Sequence, residues 1–133
     1  MRYMLLVYLD EKKWEALSDE EKAAAMARCA PHGDRLRREG KLVDGRPLHP
    51  TSTATTLRYR NGKPLLTDGP FAETREQLGG YSILEAANLD DALDMAKGFL
   101  SESDDWVTLE LRPIVDELQP GESVPTQATA ASR

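Results

Sequence analysis

The segment RYMLLVYL at residues 2–9 constrains the fold more than any other stretch, because it is apolar on both of its faces. Successive residues of a strand point to opposite sides of a sheet, so Leu5 and Val7 face one side while Met4 and Leu6 face the other. Two apolar faces are typical of a strand in the buried middle of a sheet. We therefore expect a central, well-buried strand here, with both of its faces covered in the folded protein.

Turn and capping signals in the rest of the chain predict a βαβ order that occurs twice. Asn61-Gly62 favours a tight β-hairpin between two of the strands. The predicted fold is α+β and ferredoxin-like, with βαββαβ order, two helices on one face of the sheet and an inserted β-hairpin. Strands are expected at 41–48, 54–60, 63–67, 80–86 and 106–114, and helices at 18–40 and 88–100, after a short helical turn at 10–17.

The longer predicted helix, residues 18–40, has clear signals at both ends and one discordant residue inside. Ser18 begins a capping box, and Gly40 is a natural stop. Pro31 removes a backbone donor from the helix interior, so we expect a kink or a break near Ala30.

Glycines predict irregular strand geometry at two further places. Asp44-Gly45 is expected to form a turn or a bulge within the second strand. Gly79-Gly80 is expected to allow a bulge or a close backbone approach where a later strand begins.

Two helices can cover only one face of the predicted sheet, which leaves the second apolar face of the first strand open to solvent. Large exposed apolar faces are usually buried against another molecule, and homo-oligomers are most often two-fold dimers. The sequence therefore predicts a homodimer joined through the helix-free face.

Composition and charge limit the classes of partner. The net charge of −6 predicts that the chain does not bind nucleic acid, because it would repel phosphates. No membrane association is expected either, since no segment approaches the roughly 20 apolar residues of a spanning helix. The single Cys29 and the missing signal peptide predict a cytoplasmic location. We expect one domain at 1–118, followed by a polar tail at 119–133.

The stretch DGPFAETREQLGG at residues 68–80 is the main candidate for a ligand site. Asp68 opens a turn, where its side chain can bond the backbone or act as an acid–base group. Phe71 is expected to form a wall of the cleft. Glu73 is the better candidate for a working carboxylate, because it lies in an irregular loop between strands. Arg75 can pair with Glu73 or with an anionic ligand.

Outside this loop, His32 is the third catalytic candidate, after Asp68 and Glu73. Its reference pKa near neutrality suits a general base, although a surface histidine with no catalytic role is the commoner case. Cys29 lies three residues before it, but two ligands make a poor zinc site, so we expect no metal. No cofactor is expected, because the chain has no P-loop and no dinucleotide-binding glycine pattern.

Several segments together resemble the DGPF subgroup of the YCII-related family. They are RYMLLVY, ATTLR, TDGPFAETREQLGGYSILEA, LDDALDMA and VTLELRPI, and they extend from the first residue to about residue 115. The resemblance implies a ferredoxin-like domain that dimerises into a dimeric α+β barrel. It also implies a regulatory setting, because genes of this subgroup often lie near those of extracytoplasmic-function sigma factors.

The subgroup's motif corresponds to Asp68, Gly69, Pro70 and Phe71 without a gap, and continues through Glu73. YCII-type members are proposed to be enzymes that use a paired His and Asp in a cleft. Here the equivalent of that histidine falls near Cys29 rather than at His32.

Two functions follow from this sequence. The first is an uncharacterised YCII-related protein that binds a small ligand in a cleft at the loop, through Asp68, Phe71, Glu73 and Arg75, in a context linked to sigma factors. The alternative is a cofactor-free enzyme of the dimeric α+β barrel type with Asp68 or Glu73 as acid or base. Whether the protein is an enzyme stays open at this point.

Overall fold

The computed structural model describes residues 1–116, and the polar tail expected at 119–133 lies outside them. Every predicted helix and strand is present, with ends that differ from the predictions by a few residues. The elements are β1 (Arg2–Leu9), α1 (Glu11–Ala16), α2 (Asp19–Arg38), β2 (Leu42–Pro47), β3 (Thr55–Arg60), β4 (Lys63–Asp68), β5 (Gln77–Glu85), α3 (Leu89–Lys97) and β6 (Val107–Pro113), with a 3-10 turn at Thr51–Thr53.

The main sheet has four strands in the order β2-β5-β1-β6, and every neighbouring pair is antiparallel. β1 is therefore central, as its two apolar faces predicted. α2 connects β1 to β2 with β5 between them, and α3 connects β5 to β6 with β1 between them. This is the arrangement of an α+β, ferredoxin-like fold.

The core lies on one side of this sheet, against α2 and α3. Leu5 of β1 and Leu84 of β5 are its most completely buried large side chains. The remaining members are Tyr3, Leu36, Leu42, Ala86, Ala92, Met95 and Ala96, with Phe99, Leu109 and Leu111 packed against them.

The opposite side of the sheet carries a second apolar surface. Met4 is paired with Ile83 and Leu6 with Tyr81 across β1 and β5, so these four residues alternate with the core residues and point to the other face. None of them belongs to the core cluster. We call this surface, formed by Met4, Leu6, Tyr81 and Ile83, the open face.

α2 begins and ends as predicted, but the expected break at Pro31 is absent. The Ser18 side chain and the Glu21 side chain form a reciprocal capping box, and the helix continues through Pro31 to Arg38. Pro31 and Ala27, whose carbonyl loses its helical donor, are both exposed, so water can satisfy that carbonyl.

Tertiary contacts hold α2 on both sides of Pro31. Just before it, the Cys29 thiol donates to the Phe99 carbonyl at 3.5 Å. Just after it, the His32 Nε2 donates to the Met95 carbonyl at 2.7 Å. Packing against α3 and the residues just after it therefore outweighs the local cost of the proline, which is why the break predicted from propensity does not occur.

The inserted hairpin forms a separate two-stranded sheet, β3 with β4. Asn61 and Gly62 both have positive φ, 53° and 74°, as a two-residue type I′ turn requires. The prediction from Asn61-Gly62 is therefore confirmed. We call this hairpin, residues 55–68, the arm.

The strand irregularities lie close to the predicted places. In β2 the register shifts between Leu42 and Asp44, so the extra residue is Val43, just before the expected Asp44-Gly45. In β5 the shift makes Gly79 the extra residue, as predicted. A Cβ atom on Gly79 would lie 2.5 Å from the Leu9 Cδ1 atom, so a larger residue at the bulge would have to displace the Leu9 side chain.

Within residues 1–116, no helix is long and apolar enough to span a bilayer.

We predict that Pro31→Ala raises the free energy of unfolding by about 1–3 kcal/mol, because alanine restores a helix donor and suits a helix interior far better than proline. Chemical denaturation measures the change. Pro50→Ala is the matched control. Pro50 lies in a loop with φ −56°, so its removal only loosens the unfolded chain and should lower stability by about 0.4–1 kcal/mol. A loss of stability in Pro31→Ala would contradict this account of α2.

Candidate functional site

An open cleft of about 520 Å³ lies between α1 and the end of the 68–77 loop. This volume lies within the range of small-molecule sites. The lining residues are Asp10, Lys12, Lys13, Ala16, Thr74, Arg75 and Gln77.

One wall of the cleft is the short helix α1, which tertiary contacts hold in place. The Asp10 carboxylate caps the helix by accepting from the Lys13 N–H at 3.2 Å, and the Asp10 N–H donates to the Trp106 carbonyl at 2.8 Å. The rings of Trp14 and Trp106 pack with centroids 4.8 Å apart. A six-residue helix is marginal by itself, so these contacts fix the positions of Lys12 and Lys13.

The other wall is the end of the 68–77 loop, which Gln77 connects to α1. The Gln77 Oε1 accepts from the Glu11 N–H at 3.0 Å, while its Nε2 donates to the Thr74 carbonyl. The Thr74 hydroxyl donates to the Glu76 carbonyl at 2.6 Å. A single amide side chain therefore spans both walls and sets the distance between α1 and the loop.

The cleft is rich in positive charge although the chain carries a net charge of −6. Three cationic side chains line it, Lys12, Lys13 and Arg75, against the single carboxylate of Asp10. The Asp10 carboxylate caps α1 by accepting from the Lys13 N–H. The Lys13 Nζ lies 3.4 Å from Oδ2 of the exposed Asp105. Within residues 1–116, Lys12 and Arg75 have no ion-pair partner, so both are available to an anion.

Of the four residues predicted to bind a ligand, Arg75 lines this cleft. Asp68, Phe71 and Glu73 do not, and all three are exposed. Phe71 is 78% exposed. In the described part of the chain the carboxylates of Asp68 and Glu73 accept no hydrogen bond, so the turn at Asp68 is not held by its side chain.

Backbone geometry and a threonine hydroxyl hold that turn instead. The Gly69 N–H donates to the Ala54 carbonyl at 2.7 Å, and the Gly69 carbonyl accepts from the Thr56 hydroxyl at 2.8 Å. Gly69 has a φ of 93°, in the region that favours glycine.

His32, the third catalytic candidate, lies between α2 and α3. Its Nε2 donates to the Met95 carbonyl, and its Nδ1 accepts from the Arg35 guanidinium at 2.9 Å. Its ring packs edge-on against Phe99, with centroids 4.6 Å apart. No hydrogen bond or ion pair between described residues connects His32 with Asp68 or Glu73, so the three candidates do not form one constellation.

Cys29 lies near His32 on α2, and its thiol donates to the carbonyl of Phe99, the residue on which the His32 ring packs. Burial raises the pKa of its thiol, the Asp104 carboxylate raises it further, and Arg28 opposes the effect. Residues 1–116 contain no cluster of three His, Cys, Asp or Glu side chains that could hold a metal ion.

Reasoning from the sequence missed most of the cleft. Lys12 and Lys13 belong to the predicted short helical turn, and Gln77 is part of the candidate loop, but they were not identified as site residues. The sequence signal that could have identified Lys12 and Lys13 is their adjacency in a chain of net charge −6. Nothing in the sequence, however, places residues 12–13 beside residues 74–77.

Comparison with known proteins identifies the family. The model of the YCII-related domain matches residues 1–100. The chain belongs to the YCII-related family. It is also 38% identical over 122 residues to an uncharacterized protein of Rhizobium meliloti (strain 1021). The aligned region covers 92% of this chain and 98% of that protein.

The family match includes every residue that lines the cleft. It ends before β6, which supplies one edge of the sheet in this YCII-related chain. Because the similar protein is itself uncharacterized, the function of this chain has to be argued from its own geometry.

The first prediction from this site concerns the turn of the loop. Gly69→Ala should lower the free energy of unfolding by about 1–2 kcal/mol, because a Cβ atom is strained at this φ. Asp68→Ala is the matched control and should change it by less than about 0.5 kcal/mol, since an exposed side chain without a partner is lost. Thermal or urea unfolding measures both. A larger loss in Asp68→Ala than in Gly69→Ala would refute this assignment.

The second prediction concerns Cys29. Because burial favours the neutral thiol, the alkylation rate should rise with pH around a midpoint above that of the same thiol in the urea-unfolded chain. Iodoacetamide labelling followed by mass spectrometry measures the rate. A midpoint below that of the unfolded chain would show that the thiol is activated rather than shielded.

Proposed function

We propose that this YCII-related protein binds a small anionic ligand in the cleft between α1 and the 68–77 loop. The observation that carries the proposal is the concentration of Lys12, Lys13 and Arg75 around one cleft in an acidic chain. Positive charge gathered at one concave site attracts anions against the general field of the protein.

The chemistry of the lining favours a carboxylate or a phosphate group. Arg75 offers a planar guanidinium that can bind two oxygens of such a group, and Lys12 offers a point charge from the opposite wall. The Thr74 hydroxyl already donates to the Glu76 carbonyl, so we expect the two cations to carry recognition.

A catalytic role has less support. Asp68 and Glu73 lie outside the cleft lining and have no hydrogen-bond partners among residues 1–116, whereas an acid–base group has to be held within reach of its substrate. A ligand-binding protein also agrees with the sigma-factor context that the DGPF resemblance implies, so we propose a regulatory rather than a catalytic setting.

We further propose that two copies associate through the open face. Met4, Leu6, Tyr81 and Ile83 form an apolar surface on the side of the sheet opposite the core helices. Burying that surface in a two-fold interface would satisfy the requirement that both faces of β1 are covered.

The ligand proposal is tested with inorganic phosphate, acetate, succinate and citrate, and with glucose as the neutral control. At least one anion should raise the melting temperature in a concentration-dependent way, and titration calorimetry should give its Kd. The double variant Lys12→Gln/Arg75→Gln should weaken that binding by about 10-fold or more, because charge-assisted hydrogen bonds contribute about 1.5–3 kcal/mol each.

The matched control is Arg38→Gln/Lys97→Gln, which removes the same charge from α2 and α3, away from the cleft. Equal weakening in both double variants would show that only net charge matters. No response to any of the four anions would reject the proposal.

A further inference from the structure

Glu11, the first residue of α1, joins this helix to two segments that are far from it in the chain. Both oxygens of its carboxylate accept from Thr51, Oε1 from the backbone N–H at 3.0 Å and Oε2 from the hydroxyl at 2.9 Å. The backbone N–H of Glu11 donates to the Gln77 Oε1 at 3.0 Å. One residue thus holds α1 to residue 51 and to residue 77.

These two attachments stand at the two ends of one long segment. Thr51 begins the 3-10 turn that leads into the arm, and Gln77 follows the 68–77 loop as the first residue of β5. The arm and the loop lie between them. Residues 51–77 are therefore tied to α1 at their start by the side chain of Glu11 and at their end by its backbone N–H.

The carboxylate of Glu11 is not part of the cleft lining, although its neighbours Asp10 and Lys12 are. The residue is half-buried, whereas the two lysines that follow it are exposed. Its two oxygens are bonded to the neutral donors of Thr51 and not to either lysine. Glu11 therefore serves the attachment of α1, and it leaves the ammonium groups of the cleft to an anion.

The position of α1 depends on such attachments, because a six-residue helix is marginal by itself. Trp14 packs against Trp106 on one side, and Glu11 bonds Thr51 and Gln77 on the other. Hydrogen bonds to a carboxylate are roughly twice as strong as neutral ones. Since Lys12 directly follows Glu11 in the chain, the place of the lysine relative to the loop follows from these bonds.

We propose that Glu11 is the positioning residue of the anion cleft. It sets the separation between Lys12 on α1 and Arg75 on the loop, and so decides how tightly an anion is bound. The inference rests on the function proposed above and adds a residue that does not line the cleft. A site with a loose supporting shell binds less tightly, because its charged groups have to be ordered when the ligand arrives.

Electrostatics alone predicts the opposite effect of removing Glu11. A carboxylate on the same short helix as the cationic side chains repels an anion, so its loss should tighten binding. If Glu11 positions the cleft, its loss weakens binding even though the helix becomes more positive. The sign of the change in Kd therefore separates the two effects.

Titration calorimetry on the full chain tests the proposal, with whichever of phosphate, acetate, succinate and citrate binds the wild type most tightly. Glu11→Ala should raise the Kd by about 5-fold or more, because two hydrogen bonds to a charged group are lost. The matched control is Glu15→Ala, which removes the same charge from the same helix. The Glu15 carboxylate pairs with Lys22 of α2 at 3.6 Å, so its loss should leave the Kd unchanged or slightly lower.

Glu11→Gln adds a rescue by the conservative variant. An amide side chain can accept from the Thr51 N–H through its oxygen and donate to the Thr51 hydroxyl through its nitrogen. It therefore keeps the attachment while it removes the same charge as Glu11→Ala. Glu11→Gln should retain most of the affinity that Glu11→Ala loses.

A merely structural role of Glu11 would give a different result. Partial unfolding raises the apparent Kd only by the reciprocal of the folded fraction, which stays near one well below the melting temperature. Thermal unfolding measures that fraction for each variant. Intrinsic fluorescence monitors α1 in the same samples, because the two tryptophans of the chain, Trp14 and Trp106, pack together there.

The outcomes separate this inference from the proposed function. A wild type that binds none of the four anions would overturn both. A wild type that binds, with a Glu11→Ala variant that binds equally or more tightly once the folded fraction is counted, would overturn the positioning role and leave the ligand site standing. Equal weakening in Glu15→Ala, or in Glu11→Gln, would overturn the positioning role as well.

Discussion

The covering of both faces of β1 is the constraint on which the rest of this structure depends. One face is covered within the chain, where Leu5 and its neighbours pack against α2 and α3. That packing is strong enough to keep α2 helical through Pro31, since contacts with Met95 of α3 and with Phe99 just after it hold the helix on both sides of the proline. The other face stays apolar, and it is the physical reason for proposing a second copy.

The cleft depends on the end of the same strand. β1 ends at Leu9, and the chain turns directly into α1, whose cap Asp10 is held against Trp106 just before β6. The same sheet brings the first residue of β5, Gln77, to the start of α1, where its side chain joins the two walls. The position of the cationic side chains therefore follows from the sheet register. α1 contributes Lys12 and Lys13 to the cleft, and the loop contributes Arg75.

The two ends of the 68–77 loop are held by different contacts. The arm leads into the 68–77 loop through the turn at Gly69, and the loop ends at the cleft through Gln77. Gln77 fixes the end of the loop against α1, and the Gly69 contacts fix its start against the arm.

The sequence by itself determined the elements and their order, because capping, turn and alternation signals are local. Ser18 begins its helix as expected, Asn61-Gly62 forms the hairpin, and Gly79 is the bulge. The α+β fold and the central place of β1 followed from these signals and from strand order. Tertiary structure alone decided the continuity of α2, the packing of His32 between helices and the meeting of Lys12 with Arg75, because each depends on contacts between residues far apart in the chain. Local propensity does not include such contacts. At Pro31 the contacts outweigh the low helix propensity of proline.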